Sequence, residues 1–308
     1  MQDRFLELIR RASCELPPDV LDAVRRGRDA EKKDSLGRAA LDDVLKNCAL
    51  AAATSRPICQ DTGTNNWVVH HPRSVSQLEL ERAILAATRR ATKLGYLRPN
   101  AVDPLTGLNS GDNTGRGAPV VHCSEWRLKG VAADLLLKGG GCENMSAQMS
   151  LPNAEIKAGR DLEGVRRAVI EAVFRAQGKG CGPGIIGVGI GGDRTNSLLE
   201  AKEQLYRLLG DTNPEPALAR LEARLVKECN QLGVGPMGFG GRTTVLGVKI
   251  GTRHRLPASF FVSIAYMCWA CRRASVTVNG DRAVYSQVAQ IAKRYRLPAN
   301  ASLRAKEG

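Results

Sequence analysis

The sequence lacks any stretch that would place it in a membrane or mark it for export. It has no run of about eighteen apolar residues, and no positively charged start followed by an apolar segment. We therefore expect a cytoplasmic protein without a membrane partner. Internal repeats and low-complexity tracts are also missing. Hydrophobic residues make up 43% of the 308 positions and charged residues 25%, which is ordinary for a globular protein with a substantial core.

Aromatic residues are scarce, at 4%, although the net charge is +14. A basic protein can bind nucleic acid, but no base-stacking or groove-reading motif accompanies these charges. The Lys and Arg residues are scattered over predicted helices, as on solvated faces. We therefore expect no nucleic-acid partner, since the positive field suits a dianionic substrate or an acidic protein partner equally well.

The nine cysteines show no spacing typical of a disulfide framework or of zinc. Zinc sites usually carry two close pairs, whereas the only close pair here is Cys268 and Cys271. An odd number of thiols indicates reduced cysteines in a cytosol. Four of them lie in ordinary stretches and are expected to be small buried hydrophobes: Cys14, Cys48, Cys123 and Cys229.

Apolar periodicity predicts a mixed α/β (α+β) fold with a helical N-terminal part, because predicted helices and strands alternate. Helices are predicted at 6–14, 20–28, 41–53, 77–94, 162–177, 197–209 and 217–232. Strands are predicted at 66–70, 120–126, 131–137, 185–190, 244–250 and 260–267.

The composition changes once, after Arg273. We predict a main domain over residues 1–275 and a C-terminal appendage over 276–308. Within the appendage, Asn279-Gly280 favours a hairpin turn, and a helix with a polar, frayed end is expected to follow it.

Three cysteines far apart in the sequence each lie in an unusual local setting. Cys59 precedes Gln-Asp-Thr-Gly, Cys181 precedes Gly-Pro-Gly, and Cys268 follows an apolar run. Complete ligation of an iron–sulfur cubane normally takes four cysteines, so three single thiolates suit a cluster with one open iron. Because such an iron is a Lewis acid, the pattern indicates an enzyme more than an electron carrier.

The glycines after Cys181 do not indicate a dinucleotide site. Gly187-Val188-Gly189-Ile190-Gly191-Gly192 contains G-x-G, but its third glycine comes too early for the G-x-G-x-x-G pattern.

Five strings occur in a fixed order along the chain. They are Cys-Gln-Asp-Thr-Gly (59–63), Lys-Gly-Gly-Gly-Cys-Glu-Asn-Met-Ser (138–146), Cys-Gly-Pro followed by Gly-Val-Gly-Ile-Gly-Gly (181–192), Gly-Pro-Met-Gly-Phe-Gly-Gly-Arg-Thr-Thr (235–244) and Cys-Trp-Ala-Cys-Arg-Arg (268–273). Over residues 1–275 the chain resembles the alpha subunit, or N-terminal catalytic half, of the iron–sulfur-dependent class I fumarases and the related L-tartrate dehydratases.

The resemblance implies a [4Fe–4S] cluster within the mixed sheet, held by Cys59, Cys181 and Cys268. Cys271 competes with Cys268 for the third position, but the family pattern places the ligand first. Cys142 is a fourth candidate beside the triple glycine. Relatives have serine at that position, so a ligand role is not expected.

The resemblance also implies the residues that contact the substrate. Asp61 and Gln60 correspond to catalytic residues that touch the substrate or its hydroxyl group, Gly141 to a substrate-contacting residue, and Arg98 to an arginine that clamps a carboxylate. From the residues alone, Asp61 could instead stabilise a turn, and Arg98 could be one surface arginine among many. Relatives carry a histidine where this chain has Leu256, and the nearest imidazole is His254.

The activity implied is that of a hydro-lyase that reversibly hydrates fumarate, a small dicarboxylate, to L-malate. In the family the proton-transferring threonine lies in a C-terminal half, so a beta subunit and a homo- or hetero-oligomer are expected. L-tartrate dehydratase is the alternative on the same scaffold. Outside enzymes, an iron–sulfur electron carrier or redox regulator remains an open alternative.

Overall fold

The fold is mixed α/β, as predicted, in a computed structural model that describes residues 1–295. The helices are α1 (Gln2–Cys14), α2 (Pro18–Ala30), α3 (Leu36–Thr54), α4 (Gln77–Lys93), α5 (Gly140–Glu143), α6 (Leu162–Ala176), α7 (Arg194–Gln204) and α8 (Pro216–Gln231). The strands are β1 (Thr64–His71), β2 (Val120–Glu125), β3 (Val131–Lys138), β4 (Ala147–Ser150), β5 (Gly184–Gly191), β6 (Val245–Arg253), β7 (Phe261–Met267), β8 (Arg272–Asn279) and β9 (Arg282–Ser286).

The strands form two mixed sheets. The first has the order β2-β1-β3-β8-β9, with β1 and β2 parallel and the other neighbours antiparallel. The second has the order β4-β7-β5-β6, with β5 and β6 parallel. β3 ends at Lys138, where the second string begins, and β7 ends just before the fifth string, which begins at Cys268. Each sheet therefore carries one of these strings at the end of a strand.

α1 and α4 cover the first sheet. β1 alternates between buried and less buried positions, as expected of a strand with one face on a core. Its Trp67 is fully buried and meets Phe5 of α1 edge to face, with ring centroids 5.3 Å apart. This packing fixes the N-terminal helix against the sheet.

Glycines in β5 allow α7 to approach the second sheet at backbone distance. A Cβ at Gly187 would lie 2.1 Å from the carbonyl oxygen of Ala201, and one at Gly189 equally close to that of Ser197. A side chain at either position would push the helix away. The Gly-x-Gly repeat therefore serves helix packing, which agrees with its mismatch to the dinucleotide pattern.

The predicted boundary after residue 275 falls inside β8, which pairs with β3 from Arg272 to Val278. Residues 276–286 consequently continue the first sheet, because β8 turns into β9 through the predicted hairpin at Asn279-Gly280. Of the predicted C-terminal helix, the described part shows a short 3₁₀ turn at Ile291–Arg294. The rest of that prediction lies outside the described residues.

Most predicted elements match, with small shifts at their ends. α7 begins at Arg194, earlier than predicted, because the Asp193 side chain accepts a hydrogen bond from Asn196 N and caps the helix. β4 and β8 were not predicted as they occur. β4 has only four residues, which is too short for a clear pattern. β8 begins with two arginines, Arg272 and Arg273, which are buried here although charged residues are not expected inside a strand. No helix among residues 1–295 is long and apolar enough to cross a bilayer.

Asp134 of β3 is a buried carboxyl whose ionisation opposes folding. Burial raises its pKa to about 6, although Ser275 and Gln290 N donate hydrogen bonds to it. The folded state therefore binds this proton more tightly than the unfolded chain does. The corresponding stability is present at low pH and is lost as the pH rises through about 6.

Replacing this carboxyl should remove that pH dependence. When the pH is raised from 5 to 7.5, wild type should lose about 1 kcal/mol more free energy of unfolding than Asp134→Asn does, measured by urea denaturation at both pH values. Asp43→Asn, on the exposed face of α3, is the matched control and should lose as much as wild type does. A constant difference between Asp134→Asn and wild type across this range would contradict the shifted pKa.

Candidate active site

Cys181 and Cys268 lie at the same edge of the second sheet. β5 begins shortly after Cys181 and β7 ends just before Cys268, and the two strands pair antiparallel with Ile185 opposite Met267. Trp269 N donates to the carbonyl oxygen of Cys181 at 3.3 Å. Strand pairing therefore brings together two of the three predicted cluster cysteines, although 87 positions separate them in the sequence.

Cys59 reaches this region on the segment that follows α3. The residue before it is tied to two helices, because Ile58 N donates to Ser13 O at 3.0 Å and Asn47 Nδ2 donates to Ile58 O at 2.8 Å. Cys59 is half-buried, and its charge acts on Cys181. Burial, followed by the charges of Cys59, Cys142 and Asp61, raises the pKa of the Cys181 thiol.

Cys181 is exposed and has a left-handed backbone conformation, with φ 51° and ψ 56°. Non-glycine residues adopt this region at a cost and are frequent at functional sites. The flanking glycines are required by Tyr266, since a Cβ at Gly180 would lie 2.4 Å from the ring and one at Gly184 2.7 Å. The backbone on both sides of Cys181 is thus pressed against β7.

The string at 235–244 braces the Cys181 turn from the other side. Met237 N donates to Gly182 O at 3.0 Å. The loop is anchored by Glu31, which is buried and accepts from Thr243 N at 2.8 Å and from Arg242 N at 2.9 Å. Glu31 belongs to no recognised string, so sequence reasoning missed it.

Cys142 lies in the same cluster of sulfurs. Its Sγ is 3.8 Å from Met267 Sδ and 4.0 Å from Lys138 Nζ. A hydrogen bond from Cys268, together with the Lys138 charge, lowers the pKa of Cys142 to about 6. The same pairing raises the pKa of Cys268, because the Cys142 thiolate and burial both oppose a second charge.

Cys271 faces a different part of the fold. It is fully buried, its Sγ lies 3.8 Å from Leu205 O, and Arg273 Nη1 donates to it at 3.9 Å. It therefore points toward the end of α7, away from the sulfurs around Cys268. This placement favours Cys268 as the third cysteine of the group.

Asp61 joins the Cys59 segment to the glycine turn. Its Oδ1 accepts from Gly63 N at 3.1 Å, and its Oδ2 accepts from Gly141 N at 3.4 Å. A Cβ at Gly139 would lie 2.8 Å from Asp61 Oδ2, so a side chain there would displace the carboxylate. Both roles considered for Asp61 are compatible with this geometry, because it closes a turn and also faces Gly141.

Arg98 and Gln60 border the same opening as Cys59. A cavity of about 430 Å³ is lined by Cys59, Gln60, Thr62 and Arg98, among others. Arg98 and Gln60 are exposed. The structure thus places Gln60, from the same segment as Cys59, and Arg98, from the segment after α4, beside the predicted cluster ligand Cys59.

A network of buried side chains holds the backbone of Arg98. Thr62 Oγ1 accepts from Arg98 N at 3.1 Å and from Asn100 Nδ2 at 2.9 Å. Asn113 Nδ2 donates to Arg98 O at 2.9 Å and to Thr92 Oγ1 at 2.9 Å, while its Oδ1 accepts from Asn100 N at 2.8 Å. Arg98 is therefore a fixed rather than a freely moving surface residue. Sequence reasoning did not single out Asn113.

His254 lies at the far edge of the second sheet. It follows β6, whose Arg253 pairs with Gly191 at the end of β5 opposite to Cys181. The eight residues of β5 separate the two edges by roughly 23 Å, at ~3.3 Å per residue. A local loop shift cannot bring His254 to the cysteines of the same chain, and Leu256, 74% exposed, lies in the same loop.

The donor set fits an iron–sulfur cluster better than a single metal ion. All nine cysteines are free. Within residues 1–295, no three His, Cys, Asp or Glu side chains converge closely enough to hold one ion. Cys59 lies close enough to Cys181 for their charges to interact, and the segment after Cys268 is bonded to the carbonyl oxygen of Cys181. Soft thiolates are the ligands that iron–sulfur clusters prefer.

Comparison with known proteins places the chain in a family. The family model described as fumarate hydratase (Fumerase) matches residues 2–277. A protein of Geobacillus stearothermophilus, provisionally assigned as a class I fumarate hydratase, is 46% identical over 283 residues, covering 91% of this chain and 55% of that protein. The chain belongs to the fumarate hydratase family. The resemblance inferred from the five strings is thereby confirmed, and the family is one of hydro-lyases.

L-tartrate dehydratase alpha subunits are also similar. A provisionally assigned alpha subunit of Methanocaldococcus jannaschii is 34% identical over 288 residues, covering 91% of this chain and 98% of that subunit. The alpha subunit of Escherichia coli strain K12 is 32% identical over 274 residues, covering 87% and 88%. The chain thus spans about half of the Geobacillus relative but nearly the full length of these subunits.

Removing the Asn113 side chain should loosen the Arg98 segment. Asn113→Ala leaves Asn100 N, Arg98 O and Thr92 Oγ1 without their partner, so the free energy of unfolding should fall by about 1–3 kcal/mol. Amide hydrogen exchange of residues 96–114 should accelerate. Leu105→Ala, at a position in the same loop that is 93% exposed, is the control and should cost no more than about 0.5 kcal/mol. Equal effects of the two variants would show that Asn113 does not hold Arg98.

Proposed function

We propose that this chain is the alpha half of an iron–sulfur hydro-lyase that interconverts fumarate and L-malate. The observation that carries the proposal is that strand pairing brings Cys181 and Cys268 to one end of the second sheet, where the charges of Cys59 and Asp61 act on Cys181. In support, three thiols without a disulfide partner lie next to a carboxylate, backbone N–H groups and an anchored arginine. The cluster, when bound, would supply a Lewis-acidic iron that polarises the hydroxyl group that leaves or adds.

The chain's own residues would bind and orient the dicarboxylate. Arg98 presents a planar guanidinium, which can hold a carboxylate through two parallel hydrogen bonds. Since Thr62 and Asn113 fix its backbone, the segment is ordered before the substrate binds, and only the rotamers of the Arg98 side chain remain to be ordered. Gly141 leaves room for the second carboxylate, because a Cβ at this position would have no atom within 4 Å, while its N–H is bonded to Asp61.

Asp61 and Gln60 would act at the hydroxyl group of the substrate. The Asp61 carboxylate is held on both oxygens by Gly63 N and Gly141 N, so it is fixed beside Cys181. In this position the Asp61 carboxyl group can give a proton to the hydroxyl group as it leaves as water, and its carboxylate can take a proton from water in the hydration direction. Gln60 offers both a donor and an acceptor to the same group.

A second polypeptide would complete the site with the residue that removes the proton from carbon. The family resemblance puts this residue in a C-terminal half, and the related tartrate dehydratase proteins are named as alpha subunits. The loop that braces Cys181 exposes Met237 by 36% and Phe239 by 58%. Apolar side chains beside an open polar site are what a docking partner would cover.

Fumarate is favoured over tartrate as the substrate by similarity. Identity is 46% to the relative assigned to fumarate and 32–34% to those assigned to tartrate. The test is anaerobic co-purification with a beta subunit, followed by assay on fumarate, L-malate, L-tartrate and mesaconate. A higher kcat/KM for tartrate than for fumarate would overturn the substrate assignment and leave the site assignment intact.

Substitution of the cysteines tests the cluster. Cys59→Ser, Cys181→Ser and Cys268→Ser should each abolish the broad visible absorption of protein reconstituted anaerobically with iron and sulfide, because each removes one of three thiolate ligands. Cys271→Ser and Cys142→Ser are matched controls that should keep it. Loss in Cys271→Ser with retention in Cys268→Ser would refute the assignment of the third ligand.

Arg98→Lys should weaken binding of the dicarboxylate without loss of the cluster. Lysine keeps the charge but lacks the two parallel N–H donors of the guanidinium group. KM should therefore rise about 10- to 100-fold, as expected for a lost hydrogen bond to a charged group. Arg25→Lys, a similar change on the exposed face of α2, should leave KM unchanged. An unaltered KM in Arg98→Lys would demote Arg98 to a surface residue.

The chain alone should bind the cluster but hydrate fumarate poorly. Adding the beta subunit should raise turnover by about 10²- to 10⁴-fold, which is typical of a positioned general base. The comparison is made at equal cluster content, determined from iron analysis. Full activity of the homogeneous isolated chain would refute a divided site and would require a base within these 308 residues.

A further inference from the structure

Lys138 is a buried ammonium group at the meeting point of the two sheets. It is the last residue of β3 and is 2% exposed. Burial of a charged amine is costly unless its hydrogen-bonding capacity is satisfied. A residue with this chemistry in this place requires specific partners.

All three donors of the Lys138 ammonium are directed at different parts of the candidate site. Nζ donates to Tyr266 O at 2.8 Å, forms an ion pair with Glu143 Oε2 at 2.7 Å, and lies 4.0 Å from Cys142 Sγ. Tyr266 is two residues before Cys268, and Glu143 ends the short helix that begins in the glycine turn. One side chain thus joins the end of β3, the glycine turn and the end of β7.

Glu143 is held in turn by α7. Its second oxygen pairs with Lys202 Nζ at 2.8 Å. The two lysines are not equivalent, because the Lys138 side chain is 1% exposed and that of Lys202 is 30% exposed. Lys202 contacts the carboxylate alone, whereas Lys138 also contacts the backbone that carries Cys268.

We infer that Lys138 is a positioning residue that fixes the Cys268 segment against the glycine turn and Asp61. Without it, the β7 end and the segment that begins at Gly139 would keep no charged link between them. The side-chain contacts that would remain are the bond from Tyr266 N to Ser146 Oγ and the sulfur contacts of Cys142. Its positive charge also lies next to the sulfur of Cys142, which is hydrogen-bonded to the proposed ligand Cys268. The effect of this charge on a cluster rests on the proposed function, whereas the positioning of the Cys268 segment concerns the polypeptide itself.

The test uses thiol labelling of the cluster-free chain under reducing, anaerobic conditions. In Lys138→Met, iodoacetamide should modify Cys142 and Cys268 about fivefold faster, as expected when loss of one buried hydrogen bond shifts local opening. Labelling is expressed throughout as the pH-independent rate constant from a pH series, because loss of the Lys138 charge also changes the pKa of the Cys142 thiol. Peptide mass spectrometry measures each cysteine, and the fully buried Cys229 reports global unfolding. Lys202→Met is the matched control and should label as wild type. Unchanged labelling in folded Lys138→Met would overturn the inference.

Two further measurements keep the outcomes separate. If Cys229 is also modified, Lys138→Met has unfolded. Glu143→Gln then decides, since it removes the charge partner and leaves the bond to Tyr266 O: faster labelling of Cys142 supports the inference, and wild-type labelling overturns it. After reconstitution, Lys138→Met should lose its visible absorption to an iron chelator faster than Lys202→Met. If wild type gains no cluster, the proposed cofactor fails, while the labelling result still decides the role of Lys138.

Discussion

The antiparallel pairing of β5 with β7 is the constraint on which the site depends. Ladder register leaves no freedom along the strands, because a shift by one residue would turn every side chain to the other face. Fixing Ile185 opposite Met267 therefore also fixes the distance between the segments that carry Cys181 and Cys268. The glycines of β5 help to hold this pairing in place, because they allow α7 to pack directly against the backbone of the strand.

Local chemistry made much of this architecture predictable. Apolar periodicity located α4, α6 and α8 within a few residues, and β1 contains the strand predicted at 66–70. The cysteine settings led to the candidate site because each thiol is surrounded by residues that a plain turn does not need. What these signals share is that each is readable within about ten consecutive residues.

Interactions between distant segments were not predictable in the same way. Nothing in the sequence around Glu31 or Asn113 shows that these side chains hold other loops, because their partners are 212 and 15 positions away, respectively, in Thr243 and Arg98. β8 was hidden for a related reason. From the sequence alone, Arg273 of this strand is expected to be exposed. It is buried because an ion pair with Asp19 of α2 compensates its charge.

The anchoring of the 235–244 loop by Glu31 has a consequence for dissecting the protein. Every candidate ligand and substrate contact lies after residue 58, so a fragment without the first three helices would appear to contain the whole site. It would lack the carboxylate that accepts from Arg242 N and Thr243 N, and with it the support beneath Gly182. The smallest part of this chain that can hold the candidate site is therefore larger than the span of its chemical groups, and the N-terminal helices are part of it.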